Sequence, residues 1–397
     1  MTKSKLWQAK DGDELHASIE KYTVGDDRVL DQQLLGYDIQ ATKAHTLMLK
    51  KIGILSEDEY TNLAAALDML LERWENGTFQ VTKDHEDGHS AIELYLTETL
   101  GQTGKKVHTG RSRNDQALVM MRLFLKDSLA KVSAATANVV QAYSKQIAGA
   151  GDQQMPGYTH SQKAMPTTVG MWLGSYHDAF NDLIPHFEDT TTLIDQNPLG
   201  SAAGFGVTLP LDRNLTTAEL GFARVQENPM YCGISRGVFE LATVQALDLV
   251  MVFAGKFAED FLQFTMQESN FFALPNSMTT GSSIMPHKRN YDVFEIMRAN
   301  SHEFVSHSMT LHALASGVGS GYHRDLQLTK RVAVQAVSTT LETLEVLALC
   351  VNHLIVNKAA LDGAMTQELE TVAMINKLVE QGIPFRDAYR QVKESLL

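Results

Sequence analysis

The sequence predicts an all-α protein centred on a bundle of long helices, and three observations predict it. Proline removes a backbone donor and breaks helices, yet all nine prolines lie at position 156 or later. Three long proline-free stretches carry apolar residues three and four apart. None of the three shows the strict alternation that a half-buried strand requires.

Taken in chain order, Tyr22 to Leu71 reads as helices broken near Gly53, with a new start at Ser56-Glu57-Asp58-Glu59. The serine can cap the helix, and a glutamate follows three residues later. Ala117 to Ala148 places Leu118, Met121, Leu125, Leu129 and Val132 on one helical face. Gly151 to Pro229 is richer in proline, glycine and threonine, which predicts shorter helices and more loop. Gly237 to Ser269 is apolar almost all round, and Thr329 to Ala360 repeats that character. Each long stretch is at least roughly twice the usual ~11–12 residues of a helix. A helix apolar on most sides needs cover from other helices or from another subunit, so the pattern fits an oligomer as well as a monomeric bundle. Strands are expected to be short and peripheral.

The 397 residues carry 34 basic and 47 acidic side chains, a net charge of −13, with 44% hydrophobic and 20% charged residues. That is the composition of an ordinary soluble protein, with chain enough for about two or three domains. Its acidity disfavours nucleic acid or an anionic membrane as partner. Cys232 and Cys350 each sit in an apolar run, against a disulfide framework or a cysteine metal site. Met1 to Trp7 is basic and lacks the apolar core of a signal peptide. Glu240, Gln245 and Asp248 interrupt the apolar run Val238 to Phe257, so no membrane span is read there and a cytoplasmic location is expected.

Three segments carry chemistry. Gly281-Ser282-Ser283-Ile284-Met285-Pro286-His287-Lys288-Arg289-Asn290 pairs a mobile backbone with cationic and polar donors. Such a loop suits an anion, although a plain surface loop with a basic end has the same composition. In His108-Thr109-Gly110-Arg111-Ser112-Arg113-Asn114-Asp115-Gln116, Ser112 and Asp115 form a helix-start pattern. Arg111, Arg113 and Asn114 then lie at the positive end of the following helix, where a carboxylate meets guanidinium and amide donors. The plainer reading is a capped helix whose arginines pair with neighbouring carboxylates. Met155-Pro156-Gly157-Tyr158-Thr159-His160-Ser161-Gln162 places a histidine beside a threonine hydroxyl, read as a helix start able to relay a proton. A lone histidine is also a common structural residue.

Together these residues identify a resemblance. The first segment resembles the Gly-Ser-Ser-x-x-Pro-x-Lys-x-Asn signature of the fumarase/aspartase superfamily, whose members eliminate fumarate from succinyl-containing substrates. The second and third resemble the corresponding blocks of argininosuccinate lyases. Glu86-Asp87-Gly88-His89, Pro198-Leu199-Gly200-Ser201 with Pro210-Leu211-Asp212-Arg213, and Tyr322 to Lys330 are similar to further blocks in the same order. There are departures. The family's Asn-Ala-Ser near the N-terminus is replaced around Gly25-Asp26-Asp27, and Tyr291 stands where a proline usually follows the signature asparagine. The chain also stops shortly after Pro384 to Tyr389, so an incomplete small C-terminal domain is expected.

The resemblance implies a three-domain fumarase/aspartase-like fold, divided at 1–110, 111–362 and 363–397. It implies reversible β-elimination of argininosuccinate to arginine and fumarate, without metal or organic cofactor. In that reaction Ser282 is the base, with Lys288 and Asn290 holding the charged intermediate. His160 and Glu295 form a relay. Ser112, Arg113, Asn114 and Thr159 bind the succinyl carboxylates, while Tyr322, Gln327 and Lys330 hold the arginine end, aided by Asp87 and His89. A homotetramer with active sites shared between subunits completes the expectation. An adenylosuccinate lyase-type enzyme and a catalytically inactive structural relative are the alternatives.

Overall fold

The protein is described from a computed structural model, which covers residues 16–395. The Met1 to Trp7 segment discussed above lies outside the described residues. The fold is all-α, with fourteen α-helices among the described residues. In order they are α1 (Ala17–Val24), α2 (Asp27–Lys51), α3 (Glu57–Glu75), α4 (Gly88–Leu100) and α5 (Arg113–Ala150). A hairpin of β1 (Gln154–Thr159) and β2 (Gln162–Thr168) follows, then α6 (Val169–Ile194), α7 (Arg213–Glu219), α8 (Pro229–Ile234) and α9 (Val238–Phe264). After α10 (Asp292–Ser316) and α11 (Thr329–Asn352) come α12 (Lys358–Ala364), α13 (Thr371–Glu380) and α14 (Phe385–Ser395). The other strands are two residues long, as short as expected.

The three long helices of the sequence reading are α5, α9 and α11, with shifted ends. α5 begins at Arg113, directly after the helix start expected at Ser112, whose hydroxyl accepts the Asn114 amide. α11 stops at Asn352, after which Ile355–Val356 pairs antiparallel with Phe272–Ala273. The expectation of only shorter helices between Gly151 and Pro229 is corrected by α6, which runs 26 residues with Pro185 inside it. An internal proline costs about 3 kcal/mol in an isolated helix. Here Leu173, Phe180, Leu183, Phe187 and Ile194 are all buried, and burying each large apolar side chain gains roughly 1.5–3 kcal/mol, enough to override it. By length and hydropathy alone α9 could cross a membrane, but 56% of its most apolar window is buried within the protein.

Two compact units make up the chain. The first comprises residues up to 131, 187–247 and 306–338. Its core packs α2, α3 and α4 through Leu35, Ile39, Leu63, Leu67, Ile92 and Leu96. The break expected near Gly53 is there, with Gly53 at φ 80°, and Ser56 and Glu59 form the predicted reciprocal cap on α3. The second unit comprises residues 132–186, 248–305 and 339 onward. Aromatic rings dominate its core: Phe261 lies 4.1 Å from Phe294 and Trp172 4.7 Å from Phe272, centroid to centroid. Two polar handles inside this cluster share one acceptor, because Trp172 Nε1 and the Tyr176 hydroxyl both donate to Asp260 Oδ2, at 3.0 and 2.6 Å, whereas the buried Tyr143 hydroxyl has no hydrogen-bond partner among the described residues.

Candidate active site

Within the first unit, the start of α5 is built by reciprocal capping. The Ser112 amide donates to Asp115 Oδ1 (2.8 Å), and the Asn114 amide donates to Ser112 Oγ (3.3 Å). Asp115 Oδ2 accepts from the Gly200 and Ala202 amides, both at 3.1 Å, tying the loop after Pro198 to the helix end. Burial raises the Asp115 carboxyl above its ordinary value, although Arg111 and these amides oppose the rise.

The two arginines beside this cap have different fates. Arg111 is buried, its Nη1 donating to Thr42 Oγ1 at 3.0 Å, so it does not face an anion at the helix end. Arg113 pairs with Glu86 (2.6 Å) and Asp87 (3.2 Å), the plainer arrangement weighed for this segment. Burial lowers the Arg113 guanidinium, but Asp87 and Glu86 outweigh it and hold it above its ordinary value.

Asp87 caps α4 through a reciprocal bond with Ser90. Burial pushes its carboxyl up, yet His89, Arg113 and Ser90 together hold it below the usual range. His89 Nδ1 sits 2.6 Å from Asp38 Oδ2. Burial alone would lower the imidazole, but Asp38, Asp87 and Asp31 raise it above its ordinary value.

Lys330, at the start of α11, reaches Asp31 at 2.5 Å and Asp27 at 3.1 Å. Burial lowers its ammonium, and the two carboxylates more than restore it. Asp27, by contrast, is pushed up, first by burial and then by Asp31 and Asp87, with Lys330 opposing. The two shifts pull the Lys330–Asp27 pair in opposite senses, and the distances decide between them. The ammonium belongs first to Asp31, so Asp27 is the weakly paired partner of a shared cation.

These groups surround a cavity of about 160 Å³. It collects seven of the residues singled out in the sequence: Asp87, His89, Arg113, Asn114, Tyr322, Gln327 and Lys330. Ser112 is not among its walls and acts as the helix cap. Asp27, Asp31, Glu86, Arg236 and Arg324 line the cavity without having been singled out. The spacing of Asp27, Asp31 and Asp38 on one face of α2 could have revealed the acidic wall. Arg236 gives no local signal, because it is placed by stacking over the Tyr322 ring at 4.8 Å. A larger cavity, about 680 Å³, lies beside Tyr37, Tyr60 and Trp74. Its lysines, Lys43 and Lys131, pair with Asp68 and Asp127, and its walls contain none of the residues singled out in the sequence.

Within the second unit lie Thr159, His160, Ser282, Lys288, Asn290 and Glu295. His160 does not start a helix, and that expectation is corrected. It occupies the β1–β2 turn, with His160 at φ 53° and Ser161 at φ 59° between paired Thr159 and Gln162. Two successive left-handed residues are what a two-residue hairpin turn demands. The strands were hidden by Pro156, Gly157 and Pro166, which read as loop.

The signature loop is closed at its base by antiparallel pairing of Thr280–Gly281 with Arg289–Asn290. Asn290 Nδ2 donates to Thr280 Oγ1 at 3.3 Å. At the tip, the Ile284 and Met285 amides donate to Ser282 Oγ, at 3.3 and 3.1 Å. Lys288, Glu295 and His160 are exposed, and His160 has no ion-pair partner within the chain among the described residues.

The family model described as "Lyase" matches residues 19–305. An argininosuccinate lyase of Thermotoga neapolitana is 40% identical over 390 residues, covering 98% of this chain and 98% of that protein. An argininosuccinate lyase of Xanthomonas campestris pv. campestris is 44% identical over 385 residues, covering 97% of this chain and 89% of its own. Among solved structures, EDDS lyase in complex with formate superposes with a TM-score of 0.80 at 23% identity, covering 96% of this chain and 76% of that one. The class II fumarase of Schistosoma mansoni gives 0.78 at 16% identity, covering 94% and 91%. At these identities the structures speak for the fold alone.

Proposed function

The chain belongs to this lyase family, and from that premise we propose that it is an argininosuccinate lyase, cleaving argininosuccinate reversibly to L-arginine and fumarate. The observation that carries the reading is 40–44% identity to argininosuccinate lyases over nearly the whole chain, supported by a polar cavity at the capped start of α5 that gathers seven of the residues singled out in the sequence.

In the proposed reaction Ser282 removes a proton from the carbon beside a succinyl carboxylate. A serine hydroxyl is far too weak a base on its own. The two amides that donate to its oxygen favour the alkoxide, and Lys288 adds a cation in the same loop. The electron pair of the broken C–H bond spreads onto the carboxylate, held by Lys288 and Asn290. It then forms the fumarate double bond as the C–N bond breaks. His160 supplies the proton for the leaving guanidino nitrogen, with Glu295, which does not pair with it within the chain, as its relay partner in the assembled site. Arg113, Asn114, Thr159 and Ser112 position the succinyl carboxylates. Tyr322, Gln327 and Lys330, with Asp87 and His89, hold the amino-acid end. The elimination is redox-neutral, and none of its steps calls for a cofactor.

The proposal extends to assembly. Following what the family resemblance implies, we place the complete site in a cytoplasmic homotetramer, built from residues of different subunits. Ultraviolet detection of fumarate, with argininosuccinate and adenylosuccinate supplied in parallel, tests the substrate. Turnover of argininosuccinate alone is expected. Turnover of adenylosuccinate instead would overturn the assignment.

A further inference from the structure

At one end the cavity holds more carboxylate than its ammonium can satisfy. Lys330 donates to both Asp31 and Asp27. Asp31 has a second use, since its Oδ2 accepts from the Gly88 amide at 2.8 Å and so joins α2 to the start of α4. Asp27 lies one turn earlier on α2, and its side chain has no partner besides Lys330 among the described residues. It faces the 160 Å³ cavity and also an adjoining one of about 460 Å³. Gln327 is already committed, donating to the Thr23 carbonyl at 2.9 Å and accepting from Arg324 Nε at 3.1 Å. Among these neighbours, Asp27 keeps acceptor capacity in reserve.

Resting on the lyase reading above, we propose that Asp27 is a specificity-determining residue that receives the α-ammonium group of the amino-acid substrate. The site then takes α-amino acids and rejects the same guanidino acid lacking the amine. Two carboxylates facing one ammonium leave a net negative charge, which a second cation neutralises. A ligand without that cation leaves Asp27 desolvated and underpaired.

The reverse reaction tests it, with fumarate consumption followed in the presence of L-arginine or of 5-guanidinopentanoate, which lacks only the α-amine. The wild type is expected to prefer arginine by at least about tenfold in kcat/KM. A charge-assisted hydrogen bond of about 1.5–3 kcal/mol corresponds to about ten- to hundredfold, and Asp27→Asn and Asp27→Ser are expected to lose that much of the preference, mainly through KM for arginine. Asp27→Glu, which keeps the charge, should retain part of it, and thermal unfolding checks that each variant is folded. A wild type indifferent to the amine, or an undiminished preference in folded Asp27→Asn, overturns the role of Asp27. A wild type that consumes fumarate with neither compound contradicts the lyase reading itself.

Discussion

Ser282 illustrates how a weak group is prepared for its task by its immediate surroundings. Two backbone amides already point at its oxygen, so the stabilising dipoles are in place before any substrate arrives. Ser282→Ala is expected to lower the rate of fumarate formation at least about a hundredfold while leaving the thermal transition in place. Full activity in that variant would remove Ser282 from the mechanism. His89 carries a second prediction. Its folded-state value is raised above the ordinary imidazole, so the stability drawn from Asp38 is complete below that ordinary value, near 6.5. It is lost as pH rises through the raised folded value. Thermal stability should therefore decline over that interval, and His89→Gln should flatten the decline. Both residues were legible in the sequence through the blocks around them. Asp27 and Arg236 were not, because one sits in a stretch that departs from the family's pattern and the other is positioned by a ring distant in the chain.

Elements were legible where their signals are local. The reciprocal caps at Ser56–Glu59 and Asp87–Ser90, and the serine–aspartate pair opening α5, need only three or four neighbouring residues. Two expectations failed where distant packing decided the outcome. α6 persists through Pro185 on the strength of its buried face, and β1–β2 depends on a pairing that its prolines disguise. Asp115 shows what a cap is worth when it also fastens a loop. It accepts the amides of Ser112, Gly200 and Ala202, three donors left buried if the carboxylate is removed. Asp115→Ala is expected to cost about 2–4 kcal/mol of unfolding free energy, measured by denaturant titration. A loss under about 0.5 kcal/mol would show that water replaces the carboxylate and that the loop is held by other contacts.

For the molecule as a whole, the long-helix architecture followed from proline placement and helical spacing, which are properties of the chain alone. The distribution of the site did not, because spacing along a sequence says nothing about which unit a residue joins. Asn114 and its cavity neighbours fall in the first unit, Ser282 and His160 in the second. If the complete site unites both halves across subunits, two differently damaged chains can repair each other. Asn114→Ala removes a residue from the cavity, and Ser282→Ala removes the base. The most direct test is to measure fumarate release from argininosuccinate by each variant alone and by oligomers refolded from a mixture of the two. We predict near-zero activity for each alone and recovery of a substantial fraction of the wild-type rate in the mixture. An active wild type combined with an inactive mixture, in oligomers shown to contain both chains, would contradict a site shared between subunits.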